Sequence, residues 1–188
     1  MIISFGGEAG SGKSTIARRL ARELKWPYYY IGGMRRQKAK ERGLTLAEYN
    51  KLGETDPSTD LEVDKYQEEL GKKKDNFVIE GRTSWYFIPQ SLKFFVKVDD
   101  KEAARRIYNA AQDSEERNED KKFQSAEDAL ESIKNRRQSD IKRYQKYFGI
   151  DVFKESNYDF VVDTTNLSPE EAFQKIFKIV KEKLTSKS

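Results

Sequence analysis

Residues 6–15 read GGEAGSGKST, and from Gly7 to Ser14 they follow the P-loop spacing G-x-x-x-x-G-K-S/T. The five residues before this stretch, MIISF, are mostly apolar and are typical of a short buried strand. After it, apolar residues recur on one helix face, at Ile16, Ala17, Leu20, Ala21 and Leu24. The stretch therefore predicts a strand, a glycine-rich turn and a helix in succession.

A turn of this kind binds anions, because glycines let backbone N–H groups point inward and the helix adds the positive end of its dipole. We expect it to bind the phosphates of a nucleoside triphosphate through Gly7, Glu8, Ala9, Gly10, Ser11, Gly12, Lys13, Ser14 and Thr15. Lys13 would reach the β- and γ-phosphate oxygens, and the Ser14 hydroxyl would complete the shell of a Mg²⁺ ion. The alternative is a glycine-rich turn that binds nothing, which the flanking strand and helix make less favourable.

The composition limits the classes of function. With 188 residues, the chain suits a single domain over residues 1–188. It has no cysteine and no histidine, which excludes disulfides, thiolate metal sites and imidazole catalysis. No apolar run reaches the roughly 18 residues of a membrane span and no signal sequence is apparent, so we expect a cytoplasmic protein without a membrane partner. The net charge of +4 suits an anionic ligand; we expect no stable nucleic-acid partner, and a monomer.

The rest of the chain alternates strands and helices. Strands are predicted at 28–31, 76–82, 93–98 and 158–162, and helices at 34–42, 45–52, 60–70, 101–111, 125–148 and from 168 onward. This alternation is typical of an α/β fold in which helices cover both faces of a parallel sheet. Ligands of such sheets bind at the carboxyl ends of the strands, where the P-loop, Gly32-Gly33, Glu80-Gly81-Arg82 and Asp163-Thr164 fall.

Several segments together with the P-loop resemble the cytidylate kinases, most closely their short archaeal-type members. They are residues 30–43 (YIGGMRRQKAKERG), Glu80-Gly81-Arg82, and residues 142–151 (KRYQKYFGID). The resemblance covers nearly the whole chain in order. It implies a P-loop nucleoside monophosphate kinase that transfers the γ-phosphoryl group of ATP to CMP or dCMP with Mg²⁺. It also implies a three-layer fold around a five-stranded parallel sheet, with a helical NMP-binding insertion at 34–71 and a lid at about 112–125.

The resemblance also implies roles for individual side chains. Arg36, with Arg35 beside it, would bind the acceptor phosphate together with Arg82. Arg136, Asp140 and Arg143 match an arginine, acid and arginine of the lid-side helix. By helical spacing, these three lie beside an apolar stripe expected to face the core, namely Leu130, Ile133, Ile141, Tyr144 and Phe148. A polar seam in that position is placed to face a cleft; the alternative is an ion pair on the surface.

The chain departs from the family pattern in two places. Arg106, which would lie against adenine, is followed by Ala110 where the family often repeats an arginine, so either Arg117 substitutes or Arg105 and Arg106 act alone. In the insertion, Asp64-Lys65-Tyr66-Gln67 stands where consecutive arginines commonly follow the aspartate. We expect Asp64 and Gln67 to bind the cytosine edge, with a solvated helix face as the alternative.

Phosphoryl transfer suits a chain without histidine, because the nucleophile is an ionised phosphate oxygen that needs no general base. Lys13, Arg82, Arg136 and Arg143 are the expected catalytic residues, and Glu80 would orient water on the metal. Two other functions stay open: a small P-loop kinase for another monophosphate or metabolite, and a nucleotide-dependent, RNA-associated binding protein.

Overall fold

The computed structural model of the chain describes residues 1–113 and 123–186. Five strands form one sheet in the order β2–β3–β1–β4–β5, and all four pairings between neighbours are parallel. The strands are β1 (Ile2–Gly7), β2 (Tyr28–Tyr30), β3 (Phe77–Glu80), β4 (Leu92–Lys97) and β5 (Phe160–Asp163). The predicted five-stranded parallel sheet is thus confirmed.

Eight helices lie in the described part of the chain, with one 3₁₀ turn at Glu155–Asn157. They are α1 (Lys13–Leu24), α2 (Ile31–Glu41), α3 (Leu46–Gly53), α4 (Ser58–Lys73), α5 (Ser84–Phe87), α6 (Asp100–Asp113), α7 (Ala126–Phe148) and α8 (Pro169–Thr185). One apolar cluster joins α1 and α8 to one face of the sheet, and a second joins α2 and α4 to the other face. Helices therefore cover both faces, as predicted, and none of these described helices is long and apolar enough to cross a membrane.

β1 delivers the chain to the P-loop from the centre of the sheet. All six residues of this strand are buried, as expected of a parallel strand covered on both faces. At the end of the strand, Gly7 adopts a φ of +125°, and a side chain there would collide with the Val96 backbone of β4. Only glycine fits this position, which brings the loop back over the sheet edge before α1 begins at Lys13.

The insertion at 34–71 is helical, as the family resemblance implied, and is formed by α2, α3 and α4. Thr45 caps α3 in a reciprocal capping box with Glu48, so the helix begins next to its predicted start at residue 45. Two details differ from the sequence analysis. The helix α2 begins at Ile31, directly after β2, so Gly32-Gly33 form its first turn rather than the end of the strand. The four-residue helix α5 was not predicted, because it is too short to show periodicity.

The helix α7 starts after the Ser125 cap, as predicted, but the assignment of its faces was partly wrong. Ile141, assigned to the core stripe, is 38% exposed, whereas Asp140 and Arg143 are buried. The helix therefore turns part of its polar seam inward, because buried partners elsewhere in the fold neutralise those charges. Most of the expected lid at about 112–125, including Arg117, lies outside the described residues.

Candidate active site

The P-loop side chains are held by the loop's own backbone. Lys13 Nζ and Ser11 Oγ each donate to the Glu8 carbonyl oxygen at 2.8 Å. The Glu8 carboxylate turns away from the loop, since one oxygen accepts from the Val98 N–H at 3.0 Å and the other pairs with Arg137 at 3.2 Å. The Glu8 N–H also donates to the Val96 carbonyl oxygen at 3.0 Å. The backbone and the side chain of Glu8 therefore both fix the loop, to the end of β4 and to α7.

The Lys13 ammonium lies in a strongly positive environment. Burial, reinforced by the positive charges of Arg82, Arg136 and Arg36, lowers the pKa of Lys13 to about 8, although the Glu80 carboxylate opposes this shift. A site with so many cations close together favours a polyanion, which would relieve their mutual repulsion.

Ser14 and Glu80 place oxygen atoms beside the P-loop. Ser14 Oγ donates to Glu80 Oε1 at 2.7 Å, and the Tyr28 hydroxyl donates to Glu80 Oε2 at 2.6 Å. Glu80 is only 3% exposed, so its carboxylate is held in one orientation. A hydroxyl and a carboxylate suit a hard cation such as Mg²⁺. Within the described ranges no group of three or more acidic, histidine or cysteine side chains could hold a metal, so phosphate and water oxygens would have to complete its shell.

A cavity of about 380 Å³ runs from the P-loop into the insertion. It brings together residues from the P-loop, α2, α4, the end of β3 and α7. Those that the sequence predicted for the site are Ala9, Lys13, Ser14, Thr15, Arg36, Asp64, Glu80, Arg82, Arg136 and Asp140. The donor-side loop and the expected acceptor-side residues therefore share one enclosure.

Two guanidinium groups of this cavity, those of Arg36 and Arg82, are oriented by hydrogen bonds and an ion pair within the protein. Arg36 donates to the Tyr30 hydroxyl and to the Gly32 carbonyl oxygen. Arg82 pairs through Nε with Asp140 Oδ2 at 2.5 Å and donates to the Gly7 carbonyl oxygen at 3.3 Å. Its guanidinium also lies over the Phe153 ring, 5.0 Å from the centroid. Arg82 is thus fixed where the P-loop and α7 meet.

Two predicted site residues lie behind the cavity wall. Arg143 is 1% exposed and pairs through Nη2 with Asp140 Oδ1 at 2.5 Å. Gln67 is fully buried, and its amide nitrogen donates to Asp64 Oδ1 at 3.2 Å and to Thr83 Oγ1 at 3.1 Å. These two side chains orient Asp140 and Asp64, which do line the cavity.

Asp64 keeps one carboxylate oxygen uncommitted. Oδ1 accepts from Gln67 and Thr83, but buried Oδ2 has no hydrogen-bond partner among the described residues. Burial, followed by the nearby negative charge of Asp60, raises the pKa of Asp64 to about 7, despite the opposing effect of Arg35. A buried carboxyl group with a raised pKa and an oxygen without a hydrogen-bond partner is suited to a hydrogen bond with a ligand.

Arg106 lies at the outer end of the P-loop and lines neither this cavity nor the one described below. It pairs with Glu102 at 2.7 Å and donates to the Thr164 carbonyl oxygen at 2.7 Å, while the Thr164 hydroxyl donates to the Ser11 carbonyl oxygen at 3.0 Å. Arg105 also pairs with Glu102, but its side chain points to solvent. Of the two lid-entry arginines, Arg106 is the one joined to the loop after β5.

Sequence reasoning missed two features. One is the buried pair of Arg35 and Asp60, although Asp60 lies one helical turn before Asp64 and that spacing could have indicated it. The other is a larger cavity of about 760 Å³ between α3, α6 and α7, which shares Ala9, Asn50 and Arg136 with the first. Since it forms only where separate helices meet, no local pattern marks it.

Comparisons with known proteins agree with this geometry. The sequence profile of the cytidylate kinase-like family matches residues 2–166. A cytidylate kinase of Methanocella arvoryzae is 33% identical over 97% of this chain and 98% of its own length, and one of Pyrococcus abyssi is 35% identical over 92% and 90%. Among solved structures, an uncharacterised protein of Eubacterium ventriosum has a TM-score of 0.68 at 17% identity, covering 96% of this chain and 98% of that one. A shikimate kinase of Bacteroides thetaiotaomicron has a TM-score of 0.62 at 13% identity, with the same coverage; both likenesses are of fold.

Proposed function

The chain belongs to the cytidylate kinase-like family, and from that premise we propose that it is an ATP-dependent nucleoside monophosphate kinase that phosphorylates CMP or dCMP. Its products are ADP and CDP or dCDP. The observation that carries the proposal is a single cavity lined by the P-loop residues Lys13 and Ser14 and by Arg36, Arg82 and Arg136. Such an enclosure holds two anionic substrates with their phosphates facing each other.

The donor side binds ATP. Backbone N–H groups within residues 7–15 hold its phosphates, and Lys13 contacts the β- and γ-phosphate oxygens. Arg106 lies against the adenine, since hydrogen bonds to the Thr164 and Thr165 carbonyl oxygens hold its guanidinium at the loop after β5. Ser14 would hold Mg²⁺ through its hydroxyl, and Glu80 would orient water on the ion; when bound, the ion would supply charge that offsets the phosphate oxygens.

The acceptor side binds the monophosphate at both ends. Arg36, Arg82 and Arg136 hold its phosphate, because planar guanidinium groups match phosphate oxygens two at a time. Asp64 Oδ2 accepts a hydrogen bond from the cytosine amino group, with Gln67 holding the carboxylate from behind. Asp140 and Arg143 keep Arg82 in place, so Arg143 contributes to catalysis through Asp140.

For phosphoryl transfer the protein has to align the two substrates and offset negative charge. An ionised oxygen of the acceptor phosphate attacks the γ-phosphorus; the new P–O bond forms as the bond to the bridging oxygen of ADP breaks. Lys13, Arg82 and Arg136 offset the negative charge that spreads over the transferring group. No residue has to remove a proton.

An ADP-release assay with the full chain, MgATP and a panel of acceptors tests the proposal. We expect CMP and dCMP to stimulate ADP release well above UMP, AMP, GMP and shikimate. A preference for another monophosphate or for shikimate would replace the acceptor while keeping the kinase. If no acceptor stimulates release and the protein binds RNA with a steep salt dependence, the kinase assignment is wrong. The proposal includes a monomeric enzyme working in the cytoplasm, where these nucleotides occur, without a nucleic-acid partner.

A further inference from the structure

Five buried or nearly buried charges of alternating sign run through the wall of the acceptor cavity. They are Arg35, Asp60, Arg143, Asp140 and Arg82, in spatial order. The first two belong to the insertion, the next two to α7, and the last follows β3. The chain of ion pairs therefore connects the insertion to the phosphate-binding edge of the sheet.

Asp60 is the link between the insertion and α7 in this series. One of its oxygens pairs with Arg35 of α2, and the other lies 3.4 Å from Arg143 Nη1 of α7. Arg35 is anchored further, since its Nε donates to Asn50 Oδ1 of α3 at 2.8 Å. All three helices of the insertion thus converge on Asp60, which is 4% exposed.

Removing the Asp60 charge would leave Arg35 and Arg143 as two buried cations with one anion fewer between them. Buried ion pairs respond strongly to loss of one partner, because the remaining charge has neither water nor a counter-ion. The two cations would repel each other across the junction between the insertion and α7. Without its contact to Asp60, Arg143 would lose its anchor in the insertion, and its ion pair with Asp140 would shift.

The displacement would reach the substrate through two further contacts. Arg143 holds Asp140 Oδ1 at 2.5 Å, and Asp140 Oδ2 holds Arg82 Nε at 2.5 Å. Arg82 lines the cavity and donates to the Gly7 carbonyl oxygen. The hydrogen bonds of Lys13, Ser11 and Ser14 go to Glu8 and Glu80, and none of them involves a member of the series. The acceptor side should therefore feel the change before the donor side does.

We propose that Asp60 is a positioning residue for the acceptor nucleotide: by pairing with both Arg35 and Arg143, it holds the insertion against α7 and keeps Asp140 and Arg82 aligned for the acceptor phosphate. It acts through these arginines and takes no part in the transfer itself. The inference rests on the proposed kinase function. It adds a residue that no sequence motif singled out.

The test is the steady-state kinetics of Asp60→Asn in the full chain, with CMP and ATP varied separately. We expect KM for CMP to rise about tenfold to a hundredfold, the scale of a misplaced binding group, while KM for ATP stays within about twofold. The matched control is Glu62→Gln. Glu62 also joins α4 to α2, through Lys38 at 2.8 Å, but at the surface, so this variant should keep both KM values.

Two outcomes would overturn the inference: an unchanged KM for CMP in folded Asp60→Asn, or equal increases in both KM values. If Asp60→Asn does not fold, Asp60→Glu keeps the charge on a longer stem, and its KM for CMP should rise several-fold; a wild-type KM there would contradict the proposal. Failure of the kinase function itself would appear differently, as no CMP-dependent ADP release by the wild-type protein.

Discussion

The two sides of the cavity are built in different ways. On the donor side, the proposed phosphate-binding groups belong to one continuous stretch, residues 7–15. The acceptor side is assembled from side chains on separate elements: Arg36 on α2, Asp64 on α4, Arg82 after β3, and Arg136 and Asp140 on α7. The first is a local property of the sequence, while the second exists only once the insertion, the sheet and α7 have packed together.

This difference predicts different sensitivities. A backbone site tolerates changes in its surroundings, because the strand and helix that shape it are held by the core. A side-chain site depends on the buried partners that orient each group, such as Asp140 behind Arg82. Mutations on the donor side should therefore affect ATP, and mutations on the acceptor side should affect the acceptor nucleotide.

The largest effect should come from Lys13, the donor-side residue whose charge is proposed to reach the transferring phosphoryl group. Lys13→Ala should lower turnover by about 10³-fold, since it removes a pre-aligned charge from the transferring group. The fold should survive, because Lys13 Nζ donates its hydrogen bond to the Glu8 carbonyl oxygen, and that oxygen keeps its hydrogen bond from Ser11. The measurement is kcat at saturating CMP and ATP, with thermal melting to monitor folding.

Lys101→Ala is the matched control, because Lys101 is an exposed lysine at the start of α6. It should keep wild-type turnover. Turnover of Lys13→Ala within about tenfold of wild type would mean that the P-loop does not carry the donor phosphates, and the distinction between the two sides would fail.

The next effect should appear on the acceptor side. Arg82→Ala should lower kcat/KM for CMP by about 10²-fold, because Arg82 contributes charge to the phosphate and is the counter-ion of buried Asp140. Arg82→Lys should recover little of this loss, since an ammonium group cannot pair with Asp140 and with a phosphate in the same forked geometry. Initial rates over a range of CMP concentrations give the comparison.

ATP binding distinguishes this effect from general damage. The affinity for ATP, measured by calorimetry without CMP, should stay within a few-fold of wild type in Arg82→Ala. A parallel loss of ATP affinity would show that the two sides are not separable at Arg82, whose Nη1 also reaches the Gly7 carbonyl oxygen.

The contrast also explains how much the sequence could predict. Patterns within a few residues indicate the strands of the sheet, the P-loop helix and the capping box at Thr45, and all are present. They do not indicate the order of the strands in the sheet. The family resemblance added the helical insertion. These features depend on local backbone preferences and on burial periodicity, which a single sequence carries.

The buried side of the acceptor wall could not be predicted in the same way. Helical periodicity places Arg143 and Ile141 about 160° apart, on nearly opposite faces, but does not say which of the two is buried. In the structure Arg143 is inside and Ile141 is exposed, because Asp60 and Asp140 supply the counter-charges for Arg143. Those partners come from another helix and from the previous turn, so the outcome depends on tertiary pairing. The same holds for Gln67, which supports Asp64 from behind.

The smallest of the three effects concerns Asp64. It is a change with pH in the unfolding free energy of the protein. Burial raises the pKa of Asp64 to about 7, from an ordinary value near 3.8, so the native state holds a proton that the unfolded state releases between these values. The stability linked to Asp64 is therefore fully present at low pH and is lost as pH rises towards 7. Between pH 5 and pH 8, wild type should lose about 2 kcal/mol of unfolding free energy relative to Asp64→Asn.

Urea denaturation of both proteins at pH 5, 6, 7 and 8 measures this difference, and Asp140→Asn provides the control. Asp140 is equally buried, which acts to raise its pKa, but Arg82, Arg143 and Arg136 outweigh burial and lower the pKa of Asp140 below its ordinary value. Both states of Asp140 are then ionised above pH 5, so its stability difference from wild type should be flat over the same range. A flat difference for Asp64→Asn as well would mean that Asp64 is paired as fully as Asp140, and Oδ2 would not be free to bind a base. If the difference in unfolding free energy changes with pH for Asp64→Asn only, the fold keeps one carboxyl group on the acceptor side without a counter-ion. A ligand can hydrogen-bond to that group.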